Sequence, residues 1–536
     1  MLWRSRAVRA CAALAAAVVL AACGAVGANQ GGGDSRPPLQ AMRPYGGDPA
    51  TEGEPRRGGT LVIGNDREVV SFDPTVQNGN AVAMAVYDLL LRLTPEGKVE
   101  PYLAKSMETT DDGRTWVMGL REGVLFSDGT PLDANAVIVN TQRHIDAPAS
   151  PAAVYAKQIT AMRALDPLTV EFTLAAPLGD FPVVFTGSIF AGTLGMIISP
   201  AALAQYGDDI GNHPVGAGPF KVTSWQRDNR MELTRNEHYW QPGLPRLDGL
   251  EFRPLSDTET RYASMVNGDV DLIYGGYNTE LVRAYVDPKF TVYYGPGSAG
   301  FFFTFNFARK PFDDRRMREA AVRAIDLRAL AASQYGNQLV GSDSLFEARS
   351  PYHTEAASDL WPQYDPEQAR RLVQEYVADG GSPHITFTTS RSEVSLGEFV
   401  QAQLSAVGMQ VDVEFFDLAE FTSRVLQGGD FQLISNLAPV DYPFPAIARL
   451  LGTNGAINFG KYSNPEVDRL LAEAASTLDP GVKTKAYQGV ERLVNEDIGL
   501  LFLSRSYAST ITKPEVKGID RTIGRDIFFA TTWLDR

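Results

Sequence analysis

Between His384 and Ser435 the chain switches repeatedly between two hydrophobic periods, and this alternation restricts the possible folds more than any other feature. His384 to Thr389 reads as a strand and Phe399 to Val407 as a helix. Val411, Val413 and Phe415 then alternate with Gln410, Asp412 and Glu414, as in a half-buried strand; Phe421 to Leu426 return to helical spacing, and Phe431 to Ser435 are extended. A βαβαβ order predicts a parallel sheet flanked by helices. At 536 residues the chain is too long for a single core, so this sheet belongs to one of at least two domains.

Other elements announce themselves by their ends. Asp365-Pro366-Glu367-Gln368 places Asp at an N-cap, Pro at the first helical position and Gln three residues on, a capping box that opens a helix with Ala369, Leu372, Val373 and Tyr376 as its buried stripe. Asp313 or Asp314 caps a helix with Met317, Ala321 and Ile325 at helical spacing, and Asn464-Pro465 starts another. Near the start of the body, Leu61-Val62-Ile63 forms a first strand. In residues 111–137, Asp111-Asp112-Gly113 makes a turn, Trp116, Met118 and Leu120 alternate as a strand, Val124 to Phe126 form a second strand, and a helix starts at Asp133. The run Phe301, Phe302, Phe303, Phe305 and Phe307 is continuous enough for a strand buried on both faces, at a crossing between domains. One or two of these rings line a cleft, Phe303 being the candidate, while core packing is the default for any single one.

The first residues have the form of a secretory signal. Arg4, Arg6 and Arg9 precede an apolar stretch, Ala10 to Ala22, that is too short to span a bilayer. It ends Leu20-Ala21-Ala22-Cys23, which resembles the bacterial lipobox and implies cleavage before a diacylated Cys23. The formal charge is −15, and loss of the three arginines leaves about −18; a balance this acidic argues against a nucleic-acid partner. The only other cysteine, Cys11, lies in the leader, so the body has no disulfide and no thiolate metal site. Residues 24–58 are rich in Gly, Pro and polar side chains and form a tether with a reach of roughly 30 Å.

Catalytic signatures are missing. The histidines are His144, His213, His238, His353 and His384, and no pair has metal-site spacing. Gly-x-Ser-x-Gly and His-Glu-x-x-His do not occur. Gly216-Ala217-Gly218-Pro219 lacks the Gly-Lys and the helix start of a phosphate loop. A carboxylate pair for glycoside hydrolysis stays open as an alternative, because 64 acidic residues allow many pairs.

Several phrases carry a resemblance. YDLLLRLTPEGKVEPYLAKSME (87–108) and DDGRTWVMGLREGVLFSDGTPLDANAV (111–137) resemble the signature of the family 5 extracellular solute-binding proteins, which feed peptide- and nickel-type ABC importers. LTRNEHYW (233–240), LPRLDGLEFRPL (244–255), NGDVDLIYG (267–275) and PFDDRRMREAAVRAID (311–326) are similar to phrases of the same family, although Leu327 stands where an Arg usually follows. The resemblance implies an α/β, two-lobed periplasmic-binding-protein-like fold of type II, in the large peptide-binder class, with an extra subdomain in the first lobe. On this plan residues 1–22 are a signal peptide, 23–57 the lipidated Cys23 and tether, 58–302 lobe I, 303–505 lobe II and 506–536 a return to lobe I.

It also implies a non-enzymatic, monomeric receptor without metal or cofactor, held by its lipid at the extracytoplasmic face of a bacterial membrane. There it would deliver a small solute, a short peptide first of all, to ABC permease subunits. An oligosaccharide, haem, a metal chelate or an opine-like compound are the alternatives, with an anchored hydrolase as the reading from another class. Asp441, in NLAPVDYPFPA (436–446), stands where peptide binders of the family hold the ligand's amino group, but Ala438 replaces a frequent Trp three residues earlier. A turn or N-cap Asp is the plain alternative. Arg391, in TSRSEV, lies where some dipeptide binders carry an Arg for the ligand carboxylate; a solvated Arg is the default. Tyr442 either stacks on the ligand or packs against Pro443.

Overall fold

The computed structural model describes residues 46–536, apart from 77–81, 95–96, 188–193, 277, 297, 335–340, 418–419, 441, 506 and 523–525. Cys23, residues 24–45 of the segment expected as a tether, and Asp441 therefore lie outside the described residues.

The path begins with β1 (Thr60–Asn65) and then leaves it to build a small antiparallel sheet of β2 (Ala104–Thr109), β3 (Thr115–Leu120), β4 (Ile159–Asp166) and β5 (Thr169–Leu174), in the order β2-β3-β5-β4. The expected alternation in β3 is realised, with Trp116, Met118 and Leu120 all buried. Its entry turn is closed by Asp111, whose Oδ1 accepts from the Arg114 and Thr115 amides at 3.0 and 2.6 Å. Val124 to Phe126, expected as a strand, is a loop with one isolated bridge, Leu125 to Pro131. The loop folds back at once, the Phe126 amide donating to Thr130 O at 2.8 Å, and this leaves no room for a ladder. Asp133 caps α1 (Ala134–Asp146) as expected, accepting from the Ala136 amide at 2.9 Å.

The chain then completes the sheet of β1 with β6 (Phe220–Gln226), β7 (Arg230–Arg235), β8 (Gly249–Pro254), β9 (Leu272–Gly276) and β10 (Thr291–Pro296), and crosses to a second sheet at β11 (Ser298–Phe305). That sheet takes in β12 (His384–Ser390), β13 (Gln410–Phe416), β14 (Leu433–Val440) and β15 (Leu501–Ser504). Around it lie α2 (Arg315–Ala324), α3 (Pro366–Ala378), α4 (Val394–Ala406), α5 (Pro443–Leu451), α6 (Pro465–Ser476) and α7 (Pro480–Asp497). Asp314 caps α2, and Asp365 caps α3, accepting from the Gln368 amide at 2.9 Å. The segment read as helical at Phe421 to Leu426 forms a π-helical turn, Phe421–Gln427. After Ser504 the chain returns as β16 (Tyr507–Thr512), which pairs with β9 and β10 in the first sheet.

The strand orders are β10-β16-β9-β1-β8-β7-β6 and β13-β12-β14-β11-β15. As the βαβαβ pattern requires, β12 runs parallel to β13 and β14. Each large sheet has its own core: Leu61, Ile63, Phe252 and Leu272 belong to the first, Phe302, Phe305, Phe387 and Leu433 to the second, and Trp116, Met118 and Phe172 to a third in the small sheet. This is a two-lobed α/β architecture with a subdomain in lobe I. The boundary expected between residues 302 and 303 falls inside β11. Phe301, Phe302, Phe303 and Phe305 pair with β14 in unbroken register, from Ser298 with Val440 to Phe305 with Leu433, so the sheet change precedes Ser298, and Phe307 lies beyond the strand.

The topology aims both sheets the same way. In the first, β1, β8, β9 and β10 are mutually parallel, with β16 antiparallel among them, so their carboxyl ends gather where β10 leaves and β16 enters. In the second, the carboxyl ends of β12, β13, β14 and β15 gather where β11 enters. The two crossings thus join carboxyl edge to carboxyl edge, which is where open α/β sheets receive ligands.

Candidate functional site

The lobe II edge is built from the ends of β12 and β14. Arg391 follows β12 in a single 3₁₀ turn, exposed, with no hydrogen bond or ion pair among the described residues. Glu393 follows in the same turn, half-buried; its Oε2 accepts from the Ser435 hydroxyl at 2.7 Å and from the Thr389 hydroxyl. The parallel register of β12 and β14 makes Thr389 and Ser435 neighbours, and their hydroxyls lie 2.7 Å apart. Further along β14, Leu437 is 50% exposed and pairs with the half-buried Phe301 of β11. An unpaired guanidinium, an anchored carboxylate and an apolar wall together suit a solute with both charged and apolar parts.

Phe303 is elsewhere. It is 0% exposed, its ring centroid 4.9 Å from that of Phe387, within the lobe II core. The cleft assignment is therefore corrected: β11 is flanked by β14 and β15, both faces of its middle are covered, and only Phe301, nearer the crossing, reaches the edge. Tyr442 neither stands free nor turns to Pro443 with its hydroxyl. The hydroxyl donates to Oδ1 of Asp180, a subdomain residue, at 3.0 Å. The same oxygen accepts from the Lys483 ammonium of α7 at 2.5 Å. Asp180 is 2% exposed and the Lys483 side chain 13%. Burial raises the Asp180 carboxyl above the ordinary range, while Lys483 and Tyr442 pull it back. Beside them Phe444 of α5 is buried in the subdomain's core, 5.8 Å from the Tyr155 ring.

Asp180, Lys483 and Phe444 carry no signal in the sequence. Asp180 and Lys483 stand 303 positions apart, and neither has a partner at helical or strand spacing that would single it out. Among the described residues no group of three or more His, Cys, Asp or Glu could hold a metal ion, and no helix is long and apolar enough to cross a membrane. A cavity of about 400 Å³ lies away from the facing edges, beside the amino end of β15, where Trp361, Tyr364, Arg328 and Asp343 contribute to its walls.

The model of the bacterial extracellular solute-binding proteins, family 5, matches residues 98–455. The chain is a family 5 solute-binding protein. The glutathione-binding protein GsiB of Escherichia coli K12 is 30% identical over 451 residues, which cover 81% of this chain and 86% of that protein. Among solved structures, the periplasmic binding protein DppA of Helicobacter pylori in complex with the peptide STSA superposes with a TM-score of 0.74 at 23% identity, over 90% of this chain and 99% of the other. NikA of Brucella suis in complex with Fe(III)-EDTA superposes with a TM-score of 0.77 at 22% identity, over 89% and 100%. These two likenesses establish the fold, and the solute-binding family of ABC importers follows from the family match. Proteins of this family work outside the cytoplasm, with small molecules or peptides as their ligands.

Proposed function

We propose that this protein is the lipid-anchored receptor of an ABC importer for a short peptide with free termini. The reading rests above all on one observation: an exposed Arg391 at the carboxyl edge of lobe II, without a hydrogen bond or ion pair among the described residues. In this reading Arg391 takes the ligand's carboxylate in a bidentate pair, and Asp441, next in the chain to Tyr442, takes its ammonium. Leu437 and Phe301 provide the apolar wall, and Cys23 carries the acyl chains that keep the receptor beside its permease. The protein performs no chemistry on the solute. Closure follows from differential affinity: a solute touching both lobes binds the shut cleft more tightly than the open one and shifts the population by that difference.

The identity with a glutathione-binding relative makes glutathione, a tripeptide with one ammonium and two carboxylates, the first ligand to test. Isothermal titration of the purified protein with glutathione and with dipeptides, against an oligosaccharide and a metal chelate as controls, should give heat only with the peptides. Asp441→Ala should weaken that binding by about 30-fold, the equivalent of about 2 kcal/mol for a charge pair shielded from water. An unchanged affinity removes Asp441 from the site. Native mass spectrometry of the protein as purified, showing a retained sugar or chelate, overturns the peptide reading altogether.

A further inference from the structure

The two lobes are joined covalently only by the crossings, yet the subdomain and lobe II touch at a second place. The Asp180 amide donates to Ala475 O at 3.2 Å. Gly179 lies so near Thr477 that a Cβ on it would come within 2.2 Å of the Thr477 carbonyl oxygen, so a glycine is what lets the segments meet. Phe444 of lobe II is 8% exposed within the subdomain's core. At the centre of this contact, Asp180 of lobe I binds Lys483 and Tyr442 of lobe II through Oδ1, while its Oδ2 is buried with no hydrogen-bond partner among the described residues. We propose that Asp180, Lys483 and Tyr442 are the closing latch of the cleft: the three engage when the lobes shut, part when they open, and thereby set how far solute must shift the balance.

The chemistry suits a contact that is made and broken. A buried ion pair recovers through attraction little more than it loses in desolvation, so it adds direction to an interface without making it permanent. The Tyr442 hydroxyl is held from the opposite lobe by Asp180.

The inference rests on the reading of two lobes that close, and not on the identity of the solute. It is tested on the full chain carrying Cys11→Ser and Cys23→Ser, so that two introduced thiols are the only ones. Nitroxides on Leu165→Cys in the subdomain and Val377→Cys in lobe II, both exposed positions, report the interlobe distance by pulsed electron resonance without added solute. Two populations are expected. Asp180→Asn or Lys483→Met should each lower the ratio of short to long distances at least tenfold, and the double variant should go no further than either, since both remove one interaction. Tyr442→Phe, which removes a single hydroxyl and leaves the ion pair, should move the ratio in the same direction by less; it serves where a stronger variant does not fold. A distribution that none of the substitutions moves overturns the latch. So does a lowered thermal midpoint with unchanged distances, which would make the contact a fixed strut. Because no solute enters this measurement, its failure leaves the calorimetric result standing, and the reverse also holds.

Discussion

Truncation of Phe303 to alanine is expected to destabilise lobe II by about 3–5 kcal/mol while leaving the solute affinity of the folded protein within threefold. The ring is 0% exposed, packs on Phe387, and lies on a strand hydrogen-bonded on both sides, to β14 and to β15. Its removal forfeits the transfer free energy of the side chain and leaves a cavity that two paired strands cannot collapse to fill. Phe303→Leu, which retains most of the volume, should cost markedly less. Denaturant unfolding gives the stability, and titration of the same preparation gives the affinity. The opposite result, weaker binding at unchanged stability, would return Phe303 to the cleft.

The second large effect concerns Asp88, 2% exposed in lobe I. Its Oδ2 accepts from the Trp240 indole at 2.7 Å. Burial raises its carboxyl to about 7, against the opposing pull of hydrogen bonds from Trp240 and Tyr239 and the charge of Arg92. Between the unfolded value, about 4, and the folded value, the native state holds a proton that the unfolded state has lost. The contribution of Asp88 to stability is therefore fully present below about pH 4 and is lost as the pH rises through about 7. The integrated difference is at most about 4 kcal/mol. Asp88→Asn keeps an acceptor for the indole and carries no charge at any pH. It should match the parent near pH 4 and exceed it in thermal midpoint at pH 8, the gap opening between these limits. A constant gap across that range would mean that Asp88 is ionised in the native protein throughout.

Local rules explain which expectations held. The caps at Asp133, Asp314 and Asp365 formed because a side-chain oxygen and an amide two or three residues on suffice to define them. The parallel pairing of β12 with its neighbours followed from hydrophobic period and order alone. Val124 to Phe126 failed because three apolar residues have no period, and the turn after them claimed their hydrogen bonds. The Phe run showed that a strand was buried without showing which ring lay nearest its end. That depended on register against β14, and only there does Phe301 separate from Phe303.

What the residues fixed without tertiary help was the alternation of strands and helices, the helix starts, the acidic charge and the long phrases that mark the family. All of these are properties of near neighbours along the chain. Only the folded arrangement decided that both sheets turn their carboxyl ends toward the crossings, that Leu437 stands uncovered, and that Asp180 meets Lys483 across 303 positions. The physical reason is that pairing between distant segments is settled by shape and by the exclusion of water when whole layers pack. No short window of sequence contains both partners of such a contact.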